Sequence, residues 1–255
     1  MKQKTYSKLG LVFLGSALIA SGGPIPFVTD DTKTVKLNQV EVDLGTSHTQ
    51  TSNGWTGTAP SLEVKYGLLP NVEVGVKGVY TYLAPEHSSS TTGYGDTSFD
   101  LKYNFFHEGD FLPSLAFAPS YSIPTGNDKD GLGSGHNDVY LPLLIQKTIG
   151  SYTVDLNGGY GLDQGDSAKN WQYVGVAVSR KLTDSILIGA EVYNRSATST
   201  TTGSDFAFNV GTGIQITDSQ ALYATVGRSI VGQTDLQATV SYKFTFGGTS
   251  TVASK

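Results

Sequence analysis

The sequence predicts an all-β fold: a closed, up-and-down antiparallel transmembrane β-barrel of about twelve strands. Three observations carry the prediction. Apolar and polar residues alternate with a period of two along most of the chain. The connections between the alternating runs are short and long in turn. The N-terminus carries basic, apolar and small residues in the order of a secretory leader.

Composition agrees. Charged residues are 15% and hydrophobic residues 38%, both low for a soluble enzyme of this length, while 31 Gly and 14 Tyr with 11 Phe suit strands and tight turns. The aromatic and β-branched content excludes a disordered chain. There is no Cys, which excludes a disulfide framework and Cys-ligated metals.

The leader comes first in order. Lys2, Lys4 and Lys8 precede an apolar stretch from Leu9 to Ala20, and Ala20-Ser21-Gly22 supplies small residues for cleavage. The stretch is shorter than the roughly 17–25 residues that a spanning helix needs. Residues 1–22 are therefore expected to be removed. Residues 23–36 then form a periplasmic N-terminal segment, 37–246 the barrel and 247–255 a polar C-terminal tail. Cleavage takes three of the 17 basic residues and none of the 22 acidic ones, leaving 14 against 22, or −8. That balance argues against nucleic acid as a partner. No second apolar run of helical spanning length follows, so the mature chain is either soluble or crosses a membrane as a barrel.

The strands follow in order. Val40, Val42 and Leu44 alternate with Glu41, Asp43 and Gly45. Leu62, Val64 and Tyr66 alternate with Glu63 and Lys65, then Val72, Val74 and Val76 with Glu73, Gly75 and Lys77. Phe99, Leu101, Tyr103 and Phe105 alternate with Asp100, Lys102 and Asn104. Later runs centre on Leu115 to Tyr121, Val139 to Ile145, Tyr152 to Leu156, Val174 to Val178, Ile186 to Val192, Phe206 to Ile216, Leu222 to Val226 and Leu236 to Phe246. Each run has about the 9–11 residues that a tilted strand needs to cross a bilayer.

Short connections are expected at 67–71, 107–112, 149–151, 182–185 and 217–219. Long polar ones are expected at 47–57, 83–95, 122–137, 163–170, 197–204 and 229–234. This pattern, with an even strand count, places tight turns and both termini in the periplasm and the long loops outside.

Alternation alone does not say which face is apolar, because a soluble lipocalin-like barrel turns its apolar set inward. Three features favour the membrane: a strand count above the eight of lipocalins, aromatics at strand ends where interfacial girdles belong (Tyr66, Tyr80, Tyr82, Tyr103, Phe105, Phe106, Tyr121, Tyr152, Tyr193, Tyr242, Phe244, Phe246), and the leader. The lipid bilayer of an outer membrane is then the expected partner.

Several stretches carry a resemblance. They are Pro26-Phe27-Val28-Thr29-Asp30-Asp31, Tyr94-Gly95-Asp96, Pro124-Thr125-Gly126, Gly133-Ser134-Gly135-His136, Leu141-Pro142-Leu143 with Gln146-Lys147, Asn170-Trp171, and Tyr242 to Phe246. In this order they resemble the outer-membrane family named for the meta-cleavage pathway of phenol degradation, over nearly all the mature chain. The resemblance implies a barrel in the outer membrane with a transport role, and it brings no catalytic residues. Tyr242, Phe244 and Phe246 also look like the terminal aromatics that outer-membrane assembly machinery reads, although the tail from Gly247 to Lys255 follows them.

The candidate site is the inward face. Glu41, Asp43, Glu63, Glu73, Asp100, Asp155, Glu191 and Asp205 each sit beside an apolar residue that must face lipid, and Lys65, Lys77, Lys102, Arg195 and Lys243 are the bases expected on the same face. The set reads either as a lumen field that selects solutes or as an ion-pair network bridging the strands. Thr29, Asp30 and Asp31 precede the first strand and form either a plain periplasmic tail or an occluding segment. The expected function is passive passage of small, hydrophobic or aromatic solutes, with no cofactor and no metal site. The rival classes are a barrel-embedded lipid hydrolase and a structural or adhesive surface barrel. The hydrolase reading needs Ser134 and His136 to converge with Asn137 or Asp138. The loop from Gly126 to Gly131 fails the calcium-loop pattern, which needs oxygen ligands at positions one and twelve.

Overall fold

The computed structural model describes residues 27–165 and 167–247. The expected leader (1–22) and residues 248–255 of the tail lie outside the described residues.

Fourteen strands form one sheet. They are β1 (Gln39–Thr51), β2 (Gly54–Leu69), β3 (Val72–Pro85), β4 (Thr91–Tyr94), β5 (Thr97–Phe106), β6 (Ser114–Phe117), β7 (Ser120–Ile123), β8 (Asp138–Ile149), β9 (Tyr152–Asp163), β10 (Trp171–Lys181), β11 (Ile186–Arg195), β12 (Asp205–Thr217), β13 (Gln220–Val231) and β14 (Thr234–Gly247). β4 and β5 both pair with β3, and β6 and β7 both pair with β5 and with β8. Each couple is thus one stave broken in the middle, and the wall has twelve staves. β1 pairs with β14 from Gln39↔Gly247 to Thr51↔Thr234, which closes the barrel. Every ladder is antiparallel; one isolated parallel bridge, Leu37↔Gly67, precedes β1. Among the described residues the only helical piece is the 3-10 turn Asp128–Asp130.

Each break has a physical cause. At Gly95-Asp96 the chain leaves the ladder, and the Asp96 carboxylate accepts hydrogen bonds from Gly126 N (3.0 Å) and Ser134 N (2.7 Å) of the 124–137 loop. At Ala118-Pro119 the proline has no N–H to give, and Pro142 on the facing β8 removes a second donor. Two backbone bonds remain there, from Ala118 N to Pro142 O at 3.2 Å and from Leu101 N to Pro119 O at 3.0 Å.

Two expected long connections are tight turns instead. β1 and β2 are 13 and 16 residues long and stay paired through Thr49↔Thr56 and Gln50↔Trp55, so the expected 47–57 loop is mostly strand closed by Ser52-Asn53. β13 and β14 likewise meet at Gly232-Gln233. The physical reason is that a strand projecting past the bilayer has no apolar face to keep. Its Thr, Ser and Gln residues then read as loop by composition, although Thr favours strands. The connections 86–90, 124–137, 164–170 and 196–204 remain longer, at the rim opposite the two barrel termini.

Which face is apolar is settled by exposure. Leu44 and Leu62 are each 47% exposed and Val210 46%, while Asp43 and Glu63 are each 4% exposed and Glu191 2%. A soluble barrel would bury the first set and expose the second. This inversion is what a lipid solvent demands, because charge on the lipid face is costly. Val210 lies mid-strand on β12, between Ala190 and Val226. Val210→Arg should destabilise the barrel by about 2–4 kcal/mol in urea unfolding from lipid vesicles. An unchanged midpoint would remove Val210 from the lipid face.

Candidate functional site

Strand register assembles the charges on the buried face of the wall. Glu41 stands opposite Lys65, Asp43 opposite both Glu63 and Lys243, Glu63 opposite Lys77, and Glu73 opposite Lys102. Opposed positions of a ladder put side chains within reach of each other. Lys65 Nζ lies 3.4 Å from Glu41, 3.4 Å from Asp43 and 3.7 Å from Glu63, and Lys243 Nζ lies 3.0 Å from Glu41. Lys77 is buried beside this group, and Asp100 is partly buried. These nine residues form one band on β1, β2, β3, β5 and β14. The other four stand apart. Asp155 on β9 accepts from Gln146 Nε2 at 2.7 Å, Arg195 lies 3.9 Å from Asp205 near the loop rim, and Glu191 is on β11.

The N-terminal segment meets this face directly. Thr29, Asp30, Asp31 and Thr32 are 1–4% exposed. The Glu191 carboxylate accepts from Val28 N (3.0 Å) and Thr29 N (2.8 Å), while Thr29 Oγ1 lies 2.9 Å from the Tyr173 hydroxyl. Lys102 Nζ lies 2.8 Å from Asp30 and donates to the Asp31 carbonyl at 3.1 Å. Asn104 Nδ2 donates to the Thr32 carbonyl (2.7 Å), Thr32 Oγ1 to Ser114 Oγ (2.7 Å), and Val35 N to Glu73 (2.6 Å). Counted round the wall, β11 is the ninth stave and β3 the third, six steps apart in either direction. The contacts at Val28-Thr29 and at Val35 are therefore on opposite walls. A cavity of about 270 Å³ remains at the rim of the barrel termini, lined by Asp31, Lys33, Glu41, Tyr223 and Lys243 among others.

Sequence reasoning missed an aromatic cluster on the same face. The Tyr140 and Trp171 rings stack at 4.9 Å, and the Tyr173 and Tyr193 rings lie 5.8 Å apart. Val28 packs against them, and Phe27 packs on Ala177 and Leu187 nearby. Gly159 and Gly161 make room, since a Cβ there would lie 2.3 Å from the Tyr140 hydroxyl and 2.0 Å from the Trp171 ring. Tyr193, expected in the interfacial girdle, is 4% exposed and bonds Gln237 at 3.1 Å. The signal was available: Tyr193 shares strand parity with Glu191.

Ser134 and His136 do not form a nucleophile–base pair. Ser134 Oγ donates to the His136 carbonyl at 2.7 Å, and the imidazole faces Asp138 and Asp163.

A closed barrel of twelve staves, apolar outside and charged within, defines the class: a transmembrane β-barrel of the outer-membrane type. The chain belongs to the family described as "Putative MetA-pathway of phenol degradation", whose pattern matches residues 26–246. In structure it is similar to the COG4313 outer membrane channel from Pseudomonas putida F1, with a TM-score of 0.72 and 14% identity over 85% of this chain and 98% of that one. It is also similar to the KdgM porin (TM-score 0.56, 13% identity, 80% and 99% covered) and the NanC porin (0.55, 8%, 80% and 98%). At such identities the likeness is one of fold. No curated protein matches the chain in sequence.

Proposed function

We propose that the protein is an outer-membrane channel for passive passage of small solutes, its bore lined by the thirteen charged residues and narrowed by residues 27–36. The observation that carries this reading is the segment's bonding to opposite walls, through Glu191 on β11 and through Lys102 and Glu73 on β5 and β3. A tail lying outside the barrel would not bury Thr29, Asp30 and Asp31. With both barrel termini at the short-turn rim, that rim is periplasmic, and the segment enters the bore from below.

The bore field follows from charge. Eight acids (Glu41, Asp43, Glu63, Glu73, Asp100, Asp155, Glu191, Asp205) face five bases (Lys65, Lys77, Lys102, Arg195, Lys243), so the pore favours cations, less so as salt screens it. Reversal potentials across a salt gradient in planar bilayers test this. Wild type should prefer cations, and Asp155→Lys should move the preference toward anions while the barrel still forms. Anion preference in wild type, or no single-channel steps at all, would sink the reading.

A further inference from the structure

Away from the band of charges, three side chains converge at the loop rim, Asp138 and Asp163 having the same strand parity as Gln146 and Asp155. His136 ends the 124–137 loop, Asp138 opens β8 and Asp163 closes β9. Asp138 and Asp163 are opposed partners in the β8–β9 ladder, so register alone brings their carboxylates together. His136 Nδ1 lies 3.0 Å from Asp138 Oδ1 and 3.1 Å from Asp163 Oδ1, and one donor atom from each residue falls within 4.8 Å of the others.

We propose that His136, Asp138 and Asp163 bind a divalent transition-metal ion of the zinc class at this rim. Two observations carry the proposal. The first is spacing. Ligand bonds of about 2.0–2.2 Å put neighbouring donors roughly 3.0–3.4 Å apart around one ion, and the two contacts to Nδ1 match that. The second is direction. Neither contact has hydrogen-bond geometry. His136 Nδ1 and Asp138 Oδ1 are both buried atoms with no hydrogen-bond partner. An acceptor of the ring N–H lies along the nitrogen's in-plane axis. Ligands sharing an ion with that nitrogen lie off the axis, with the ion on it.

The surroundings hold the donors in place, as outer-shell contacts do at metal sites. Asp163 Oδ1 accepts from Gly165 N at 3.1 Å, and Asn170 Oδ1 accepts from Asp163 N at 3.2 Å. The loop carrying His136 is pinned by Ser134, which gives its N–H to Asp96 and its hydroxyl to the His136 carbonyl. Gly165 has no side chain to obstruct the imidazole, since a Cβ there would lie 2.5 Å from Nε2. One imidazole with two carboxylates suits zinc and its neighbours better than calcium, which takes oxygen ligands alone. Three protein donors leave further positions for water.

The test is equilibrium dialysis of the chelator-stripped barrel in detergent against zinc chloride, with bound metal counted by elemental analysis. One zinc per chain is expected in wild type, with affinity at least tenfold lower in His136→Gln and in Asp163→Asn, each checked for an unchanged β circular-dichroism spectrum. Cobalt on wild type alone should give visible ligand-field bands that zinc removes, a readout that needs no variant. Absence of zinc binding in wild type overturns the proposal. Equal zinc binding in the variants, or calcium bound there in preference to zinc, overturns it too. None of these results depends on whether the bore conducts.

Discussion

Removing residues 27–36 should raise the single-channel conductance several-fold. Twelve staves enclose a bore wider than the side-chain-filled interior of an eight-stranded barrel but far narrower than a sixteen-stranded porin. One extended chain across such a bore takes up much of its section. Apart from Lys36 O, which accepts from Gln39 N at the start of β1, the segment is held by side chains of the wall, so the deletion leaves all twelve staves paired. Planar-bilayer recordings of the deletion variant beside wild type give the ratio. Equal conductance would show that the segment does not limit the path. A variant that no longer forms a heat-modifiable barrel would show that the segment belongs to the folded wall.

The second large effect is expected at Lys102. Its ammonium lies 2.8 Å from Asp30, 3.8 Å from Asp31 and 4.0 Å from Glu73, and donates to the Asp31 carbonyl at 3.1 Å. Lys102→Met leaves buried carboxylates uncompensated, a loss of about 3–5 kcal/mol for breaking a buried pair. The wall keeps its ladders, so the segment yields first. Thr32 is 1% exposed and the chain has no native Cys, so Thr32→Cys reports the segment with a single maleimide site. Labelling should be slow in that background and much faster once Lys102→Met is added, with conductance rising in parallel. Lys102→Arg should restore slow labelling, because it returns the charge. Fast labelling with lysine in place, or no change with methionine, would contradict the role assigned to Lys102.

Period-two alternation made the barrel legible in the sequence. Leu44, Leu62 and Val76 faced one way and Asp43, Glu63 and Lys77 the other, and no run had a helical period. Leu115 to Tyr121 and Phe99 to Phe105 read as unbroken runs, whereas the staves that contain them are each interrupted. The interruption at Ala118-Pro119 depends on Pro142, which lies on the next stave, and a single run does not reveal its neighbour. The 47–57 hairpin was misread because a strand that has left the bilayer loses the pattern by which strands were recognised.

What the sequence determined by itself was every choice that is local. Parity decides which residues share a face, and the cost of charge in lipid decides which face turns outward. The tertiary structure alone decided what meets across the barrel. Whether Thr29, Asp30 and Asp31 lie outside the bore or within it turns on Glu191, more than 160 residues away, and on Lys102, about 70 away. His136 likewise meets Asp163 only through the β8–β9 register. A closed barrel brings distant strands face to face through its interior, and contacts of that kind leave no periodicity in the chain.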